Sequence, residues 1–140
     1  MANIISFDTG VEEFNINDAV IVRFNPTDLN FVEKVFNGLE EIDKLHESYN
    51  SEVGKVEDIE VFDLARRFDA DARGIINGIF GDDVCTPLFG DMSINTISDG
   101  FPIWANFLLA IIDKFDTAFT EEKKKTNPRI KKYTAKYSKK

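Results

Sequence analysis

The side chains best suited to nucleophilic chemistry are Cys85 and His46, each the only residue of its type in the 140-residue chain. Nucleophilic catalysis needs a thiol or hydroxyl activated by a neighbouring base, most often histidine. His46 continues the three- and four-residue spacing from Ile42 to Tyr49, so we expect it to flank the apolar side of a helix. A lone cysteine usually packs as a small apolar residue. The sequence therefore indicates structural roles for both and does not indicate a hydrolase.

Carboxylates are the next groups that could do chemistry, because four aspartates lie in a glycine-containing stretch: Asp82, Asp83, Asp91 and Asp99. Calcium loops place oxygen ligands at alternate positions and end in a glutamate, a register that this stretch lacks. One histidine and one cysteine are too few for a histidine-rich or thiolate zinc site within one chain. We therefore expect the aspartates to cap helices and turns, and we predict a protein without a cofactor or metal that is not an enzyme.

An aromatic-rich block near the C-terminal end favours a binding function. Its candidate partner-binding residues are Phe101, Trp104, Phe107, Leu108 and Ile111. Aromatic residues anchor interfaces because they bury a large area at small entropic cost, but they anchor hydrophobic cores for the same reason. Two interpretations therefore stay open for this block: a core, or a docking groove for an apolar helix of a partner protein.

Charge is strongly segregated along the chain. The net charge is −8, but residues 1–122 hold all 25 acidic residues and 8 basic ones, a net charge of −17. Residues 123–140 hold 9 basic residues and no acidic one. Such segregation is typical of an interaction tail on a folded domain. The candidate interaction residues of this tail are Lys123, Lys124, Lys125, Arg129, Lys131, Lys132, Tyr133 and Tyr137.

Three roles are open for the basic tail. Lysines and arginines can neutralise phosphates while the two tyrosines stack on bases, which would make nucleic acid a partner. The tail could instead fold against the acidic body, or remain solvated. The acidic body itself could imitate a phosphate backbone and occupy the nucleic-acid site of another protein, although acidic surfaces also serve solubility alone.

The first 25 residues contain short β-prone runs at 3–7, 11–16 and 19–24, separated by turn residues. This pattern predicts a hairpin or a three-stranded meander, which must pack on other elements because a sheet of this size is marginal alone. Pro26 ends the last run, and Thr27 or Asp28 can cap the helix that follows.

Three helices are predicted from apolar residues at spacings of three and four: residues 29–49, 56–79, and from after Gly100 to Phe119. The stretch from Gly81 to Gly100 reads as irregular, with room for one short helical turn. Three ion pairs are predicted on helix surfaces, Glu40–Lys44, Asp63–Arg67 and Asp69–Arg73. The expected fold is mainly α (α+β): a β-rich segment (1–25) on a three-helix core (28–119), in one domain (1–122) followed by the basic tail (123–140).

The compartment follows from what the chain lacks in sequence. The longest apolar stretch, Ile103 to Ile112, is interrupted by Asn106 and is far shorter than the roughly 20 residues of a membrane span. The N-terminal residues lack the basic and long apolar regions of a secretory signal. The short apolar stretch predicts no membrane association. Because a single cysteine forms no internal disulfide, we also predict a cytoplasmic location.

The layout resembles the tail assembly chaperones of long-tailed bacteriophages. The stretches that carry this resemblance are Phe24-Asn25-Pro26-Thr27-Asp28-Leu29 and Gly100-Phe101-Pro102-Ile103-Trp104-Ala105-Asn106-Phe107-Leu108. The resemblance concerns size and order of elements over the body. It implies a non-enzymatic helical protein of the bacterial host cytoplasm that forms a homo-oligomer and coats a hydrophobic tape-measure protein.

The sequence thus favours an assembly or chaperone-like protein that binds a hydrophobic helical partner during tail morphogenesis. The alternative is an acidic inhibitor of a nucleic-acid-binding protein, acting as a DNA mimic or phage counter-defence factor. Salt separates the two, because binding through an acidic face weakens as salt rises whereas binding through apolar surface does not.

Overall fold

The computed structural model describes residues 1–124, and it is mainly helical behind a short N-terminal hairpin, as predicted. The hairpin comprises β1 (Glu12–Ile16) and β2 (Val20–Phe24). The longer helices are α1 (Leu29–Val53), α2 (Asp58–Phe80) and α4 (Ile103–Lys124). Between α2 and α4 lie the short helix α3 (Cys85–Phe89) and a second small hairpin, β3 (Ile97–Ser98) and β4 (Phe101–Pro102).

The N-terminal sheet is an antiparallel hairpin in which Glu12 pairs with Phe24 and Ile16 with Val20. Its turn has positive φ angles of 54° and 55° at Asn17 and Asp18, the backbone of a type I′ turn. Of the two predicted alternatives, a hairpin and a three-stranded meander, the structure shows the hairpin: residues 3–7 are exposed and lie in neither strand nor helix. The Asn25 side-chain amide donates to the Thr9 carbonyl at 2.9 Å, which ties the chain just before β1 to the residue after β2.

The helices α1 and α2 run antiparallel, because Gly38 of α1 meets Ile79 at the end of α2 while Tyr49 meets Phe68 nearer its start. Asp28 caps α1 by accepting a hydrogen bond from the Asn30 amide at 3.0 Å. α1 extends four residues beyond the prediction, to Val53. α2 ends at Phe80 and is capped by Gly81, whose φ of 70° suits a glycine.

Three- and four-residue spacing in the sequence predicts Ile59 and Phe62 on the buried face of α2, and this part of the prediction is wrong. Ile59 and Phe62 are exposed, and Leu64 is buried in their place. The buried stripe continues through Phe68 and Ala72. At about 100° per residue, Phe62 lies on nearly the opposite side of the helix from Leu64, so the two cannot share that stripe.

The buried apolar side chains form one cluster to which every helix and the first hairpin contribute. Phe24 of β2 stacks on Phe14 and on Phe31, each at 4.4 Å between ring centroids, and meets Phe115 of α4 edge-on at 6.4 Å. These contacts fix the hairpin against α1 and α4. Within residues 1–124, no helix is long and apolar enough to cross a membrane.

Two of the three predicted ion pairs are confirmed. Lys44 bonds Glu40 at 3.3 Å on the surface of α1. Arg73 bonds Asp69 at 2.8 Å, but this pair is mostly buried rather than on an exposed face. The predicted Asp63–Arg67 pair is wrong, because Asp63 pairs with Arg66, one residue closer along the helix.

Candidate partner-binding groove

Four of the five candidate partner-binding residues lie in the core: Trp104, Phe107, Leu108 and Ile111 are all buried. Trp104 donates its indole N–H to Asn95 at 3.3 Å, and the Phe107 ring stacks on Phe80 at 5.7 Å. Only Phe101 is exposed, with 55% of its surface open. Of the two interpretations left open by the sequence, the core therefore applies to α4 from Trp104 onward in this structure.

The second hairpin is what holds Phe101 outward. Asp99 and Gly100 have positive φ angles of 57° and 85°, and Ser98 pairs with Phe101 across the turn. The Asn106 side chain of α4 donates to the Ser98 carbonyl at 2.8 Å. The sequence predicts a helix start after Gly100, but Asp-Gly is also a strong signal for a tight hairpin turn, and that signal identifies this hairpin.

Phe101 forms one wall of a groove of about 580 Å³ between α1 and α4. Phe36 and Leu39 of α1 form the facing wall, while Trp104 and Ala105 line its floor. Phe36 is 48% exposed and Leu109, further along α4, is 38% exposed. Phe36 and Leu109 were not among the predicted site residues. A signal for Leu109 was present in the sequence, because α4 is apolar around nearly its whole circumference. A central helix with one uncovered side has this pattern, and Leu109 lies on the uncovered side.

The rim of the groove on the α1 side is acidic. Glu40 and Asp43 line it and are exposed, and His46 sits at the same edge with its ring 5.9 Å from that of Trp104 and 5.6 Å from that of Phe68. Carboxylates beside an apolar channel favour a ligand that carries basic groups next to its apolar face. The groove therefore fits an amphipathic segment with lysine or arginine on its flanks.

A polar clamp on α2 positions the chain that leads into the groove. Arg73 donates to the carbonyls of Gly90 and Met92 at 2.9 and 2.7 Å, while Asp69 accepts from the Ile94 amide at 2.7 Å. Because Arg73 and Asp69 are also bonded to each other, one mostly buried ion pair fixes three backbone groups. This role was missed because it depends on residues about 20 positions away in sequence.

Asn77 and Asp83 hold the turn between α2 and α3. The Asn77 side-chain oxygen accepts from the amides of Val84 and Cys85 at 2.9 and 3.1 Å. Asp83 accepts from the Thr86 amide at 3.1 Å. Hydrogen bonds from Thr86, first through its side chain and then through its backbone, lower the pKa of Asp83 below its ordinary value. The turn-forming role predicted for this aspartate is confirmed.

The Cys85 thiol is buried, and burial raises its pKa to about 11. A thiol with so high a pKa is protonated near neutral pH and is a weak nucleophile. Among residues 1–124, no group of three or more His, Cys, Asp or Glu side chains is arranged to hold a metal ion.

Two of the eight candidate interaction residues of the basic tail lie within residues 1–124. Lys123 and Lys124 are exposed in the last turn of α4, where cations interact favourably with the helix dipole. α4 thus extends two residues past the predicted start of the tail. The remaining tail candidates lie outside the described residues: Lys125, Arg129, Lys131, Lys132, Tyr133 and Tyr137.

Known proteins offer no guide to the function of this groove. No protein-family model matches the chain, and neither curated proteins nor solved structures show a significant similarity to it. Functional inference therefore rests on the groove and on the distribution of charge.

Proposed function

We propose that this protein is a non-enzymatic assembly protein that binds an apolar helical segment of a partner in the groove between α1 and α4. The observation that carries this proposal is that Phe36, Phe101 and Leu109 remain exposed around one concave surface. Amphipathic helices bind such grooves through apolar residues on successive turns. A tape-measure-like partner in phage tail morphogenesis, the role implied by the sequence layout, has this chemistry and stays a prediction.

The acidic rim narrows the class of partner. A bound helix would place its apolar stripe against Phe101 and Leu109, and its flanks beside Glu40 and Asp43. Lysine or arginine on those flanks would gain from the carboxylates, whereas acidic residues there would be repelled. The proposed ligand is therefore a basic amphipathic helix rather than an apolar helix of any charge.

Replacing Phe101 by aspartate should weaken binding of a designed leucine- and lysine-rich amphipathic peptide at least tenfold, which corresponds to about 1.4 kcal/mol. The reason is that a carboxylate on the apolar wall cannot be covered without losing its hydration. Binding would be measured by fluorescence anisotropy of the labelled peptide, with a thermal melt of each variant to check folding.

Phe62→Asp is the matched control, because Phe62 is also a largely exposed phenylalanine but lies on α2 and does not line the groove. It should leave peptide affinity unchanged. Equal weakening by the two substitutions would show general adhesion to the surface and would contradict the groove as the binding site. Unchanged affinity of the Phe101→Asp variant for the peptide would also contradict the groove as the binding site.

A second candidate, the acidic inhibitor, is supported by the exposed carboxylates of α1: Glu40, Glu41, Asp43 and Glu47. A basic nucleic-acid-binding protein could meet this face. Binding through it should fall steeply between low and high salt, since exposed charges are screened within about 10 Å at 0.1 M and 3 Å at 1 M. Peptide binding in the groove should lose only the part of its affinity that Glu40 and Asp43 contribute and then level off, because its apolar contacts are not screened. Complete loss of binding at about 1 M salt would therefore favour the inhibitor function, and partial loss the groove.

A further inference from the structure

The N-terminal arm (residues 1–7) is an uncovered apolar segment. Ile4, Ile5 and Phe7 are 90%, 89% and 76% exposed, and no strand or helix of the described chain includes them. Isoleucine and phenylalanine favour β-strands, and they are costly to leave in water. The arm therefore has the composition of a strand without the pairing of one.

The outer edge of β1 is the complementary feature. Among residues 1–124, β1 pairs only with β2, in a sheet of two strands. Its second edge therefore presents backbone groups that another strand could bond. A two-stranded sheet is marginal and gains from a third strand.

The link between arm and β1 is held to the body. The Gly10 amide donates to the Asp8 carboxylate at 2.8 Å, and Asn25 donates to the Thr9 carbonyl at 2.9 Å. Gly10 has a φ of 73°, and a Cβ on it would lie 2.5 Å from the Asn25 side-chain nitrogen. The link is therefore ordered, while the arm that precedes it does not pair with β1 of its own copy.

The side-chain pattern of the arm matches the open edge. In a strand, Ile5 and Phe7 lie on one face and Ser6 on the other. On β1, Phe14 and Ile16 pack against the core while Glu13 and Asn15 face outward and are exposed. An arm strand beside β1 would therefore extend the apolar face with Ile5 and Phe7. It would place Ile4 and Ser6 on the polar face, so only two of the three exposed apolar side chains of the arm would be buried.

Charge also suits contact with another copy of this acidic chain. The arm contains no acidic or basic side chain, in a body that carries −17 over residues 1–122. It can therefore approach the body of a second copy without carboxylate repulsion.

We propose that the arm of one copy pairs as a third strand with the β1 edge of a second copy, in a reciprocal exchange. In such an exchange each arm gains a strand to pair with, and the outer edge of each β1 is covered. Ile5 and Phe7 from two arms bury four large side chains, each roughly 150 Å². With a similar area covered on the receiving copies, the contact reaches about 1,200 Å², the lower end of stable interfaces.

The test compares two lysine substitutions in adjacent arm residues of the full chain. Light-scattering mass after gel filtration should show a dimer for the natural sequence. Phe7→Lys should return it to monomer, because the lysine would lie on the buried face. Ser6→Lys should keep the assembly, because the same charge would lie on the exposed face.

Three results would overturn this interface. They are a natural chain that is monomeric at its highest soluble concentration, an assembly that survives Phe7→Lys, and equal dissociation by both substitutions. A thermal melt that shows both variants folded makes each result decisive. None of these measurements involves the groove between α1 and α4. The arm interface and the proposed helix binding are therefore tested independently.

Discussion

Cys85 should report on unfolding rather than act as a nucleophile. Its buried thiol has a pKa raised to about 11, against about 8.5 for an exposed cysteine. At pH 8 a thiol-reactive dye should therefore label the native protein slowly and the denatured protein quickly. Because the thiolate is disfavoured in the fold, the stability that this group confers is fully present below about pH 8.5 and is lost as pH rises towards 11.

Dye-labelling rates with and without denaturant, and urea melts between pH 8 and pH 11, would check both parts of this prediction. Cys85→Ser controls for other groups that titrate in the same range. Rapid stoichiometric labelling of the folded protein would contradict the buried, protonated thiol.

For single residues, the sequence predicts side-chain contacts between neighbours on one helix. It does not predict side-chain bonds to residues that are distant in sequence. The Glu40–Lys44 pair follows from i,i+4 spacing alone. The Asp69–Arg73 pair was predicted by the same rule, but not its bonds to Gly90, Met92 and Ile94. Those bonds need the loop to return to α2, which no local pattern encodes.

At the scale of helices, the crossing of α1 and α2 depends on a glycine. A Cβ on Gly38 would lie 2.5 Å from the Ile79 Cδ1 atom, whereas a Cβ on Gly74 would meet nothing within 4 Å. Gly74→Ala should stabilise the protein by about 0.5–1 kcal/mol through helix propensity. Gly38→Ala gains the same propensity but overpacks the helix contact, which costs about 1–3 kcal/mol.

Urea denaturation of the two alanine variants measures this difference directly, since the substitution is identical and both sites are helical. Gly38→Ala should be the less stable variant by about 1–3 kcal/mol. Equal stabilisation by the two would mean that Ile79 moves aside freely and that α1 and α2 are not closely packed at this point.

The strands show where element prediction succeeds and fails. The hairpin of β1 and β2 was predicted because β-branched runs flank turn residues that accept positive φ. Residues 3–7 have the same composition, yet they form no strand within the described copy. Composition gives strand propensity, but a strand forms only where a second strand pairs with it, and residues 3–7 pair with no strand of the described chain.

At the scale of the whole molecule, α4 joins the core to the groove. Leu108 and Phe115 are buried, while Leu109 on the other side of the helix is partly exposed beside the groove. The sequence indicated a helix that is either central or covered by a partner, and the structure shows the central position with one uncovered side. The site could not be located further, because a groove is defined by two helices far apart in sequence.

The excess negative charge of the body should lower its stability at low salt. Residues 1–122 carry −17, and the whole chain remains at −8 even with its basic tail. Such self-repulsion disfavours the compact state. The double substitution Glu41→Gln and Glu47→Gln, at exposed positions of α1, should therefore raise the melting temperature by a few degrees in dilute buffer.

The salt dependence of this rise in melting temperature shows whether it arises from the summed charge of the whole molecule. Near 1 M salt the Debye length is about 3 Å, so the gain should vanish if it arises from distant charges. Lys55→Gln is the matched control, because it removes one exposed positive charge and should lower the melting temperature in dilute buffer only. A gain that persists at high salt would come from local helix effects of glutamine.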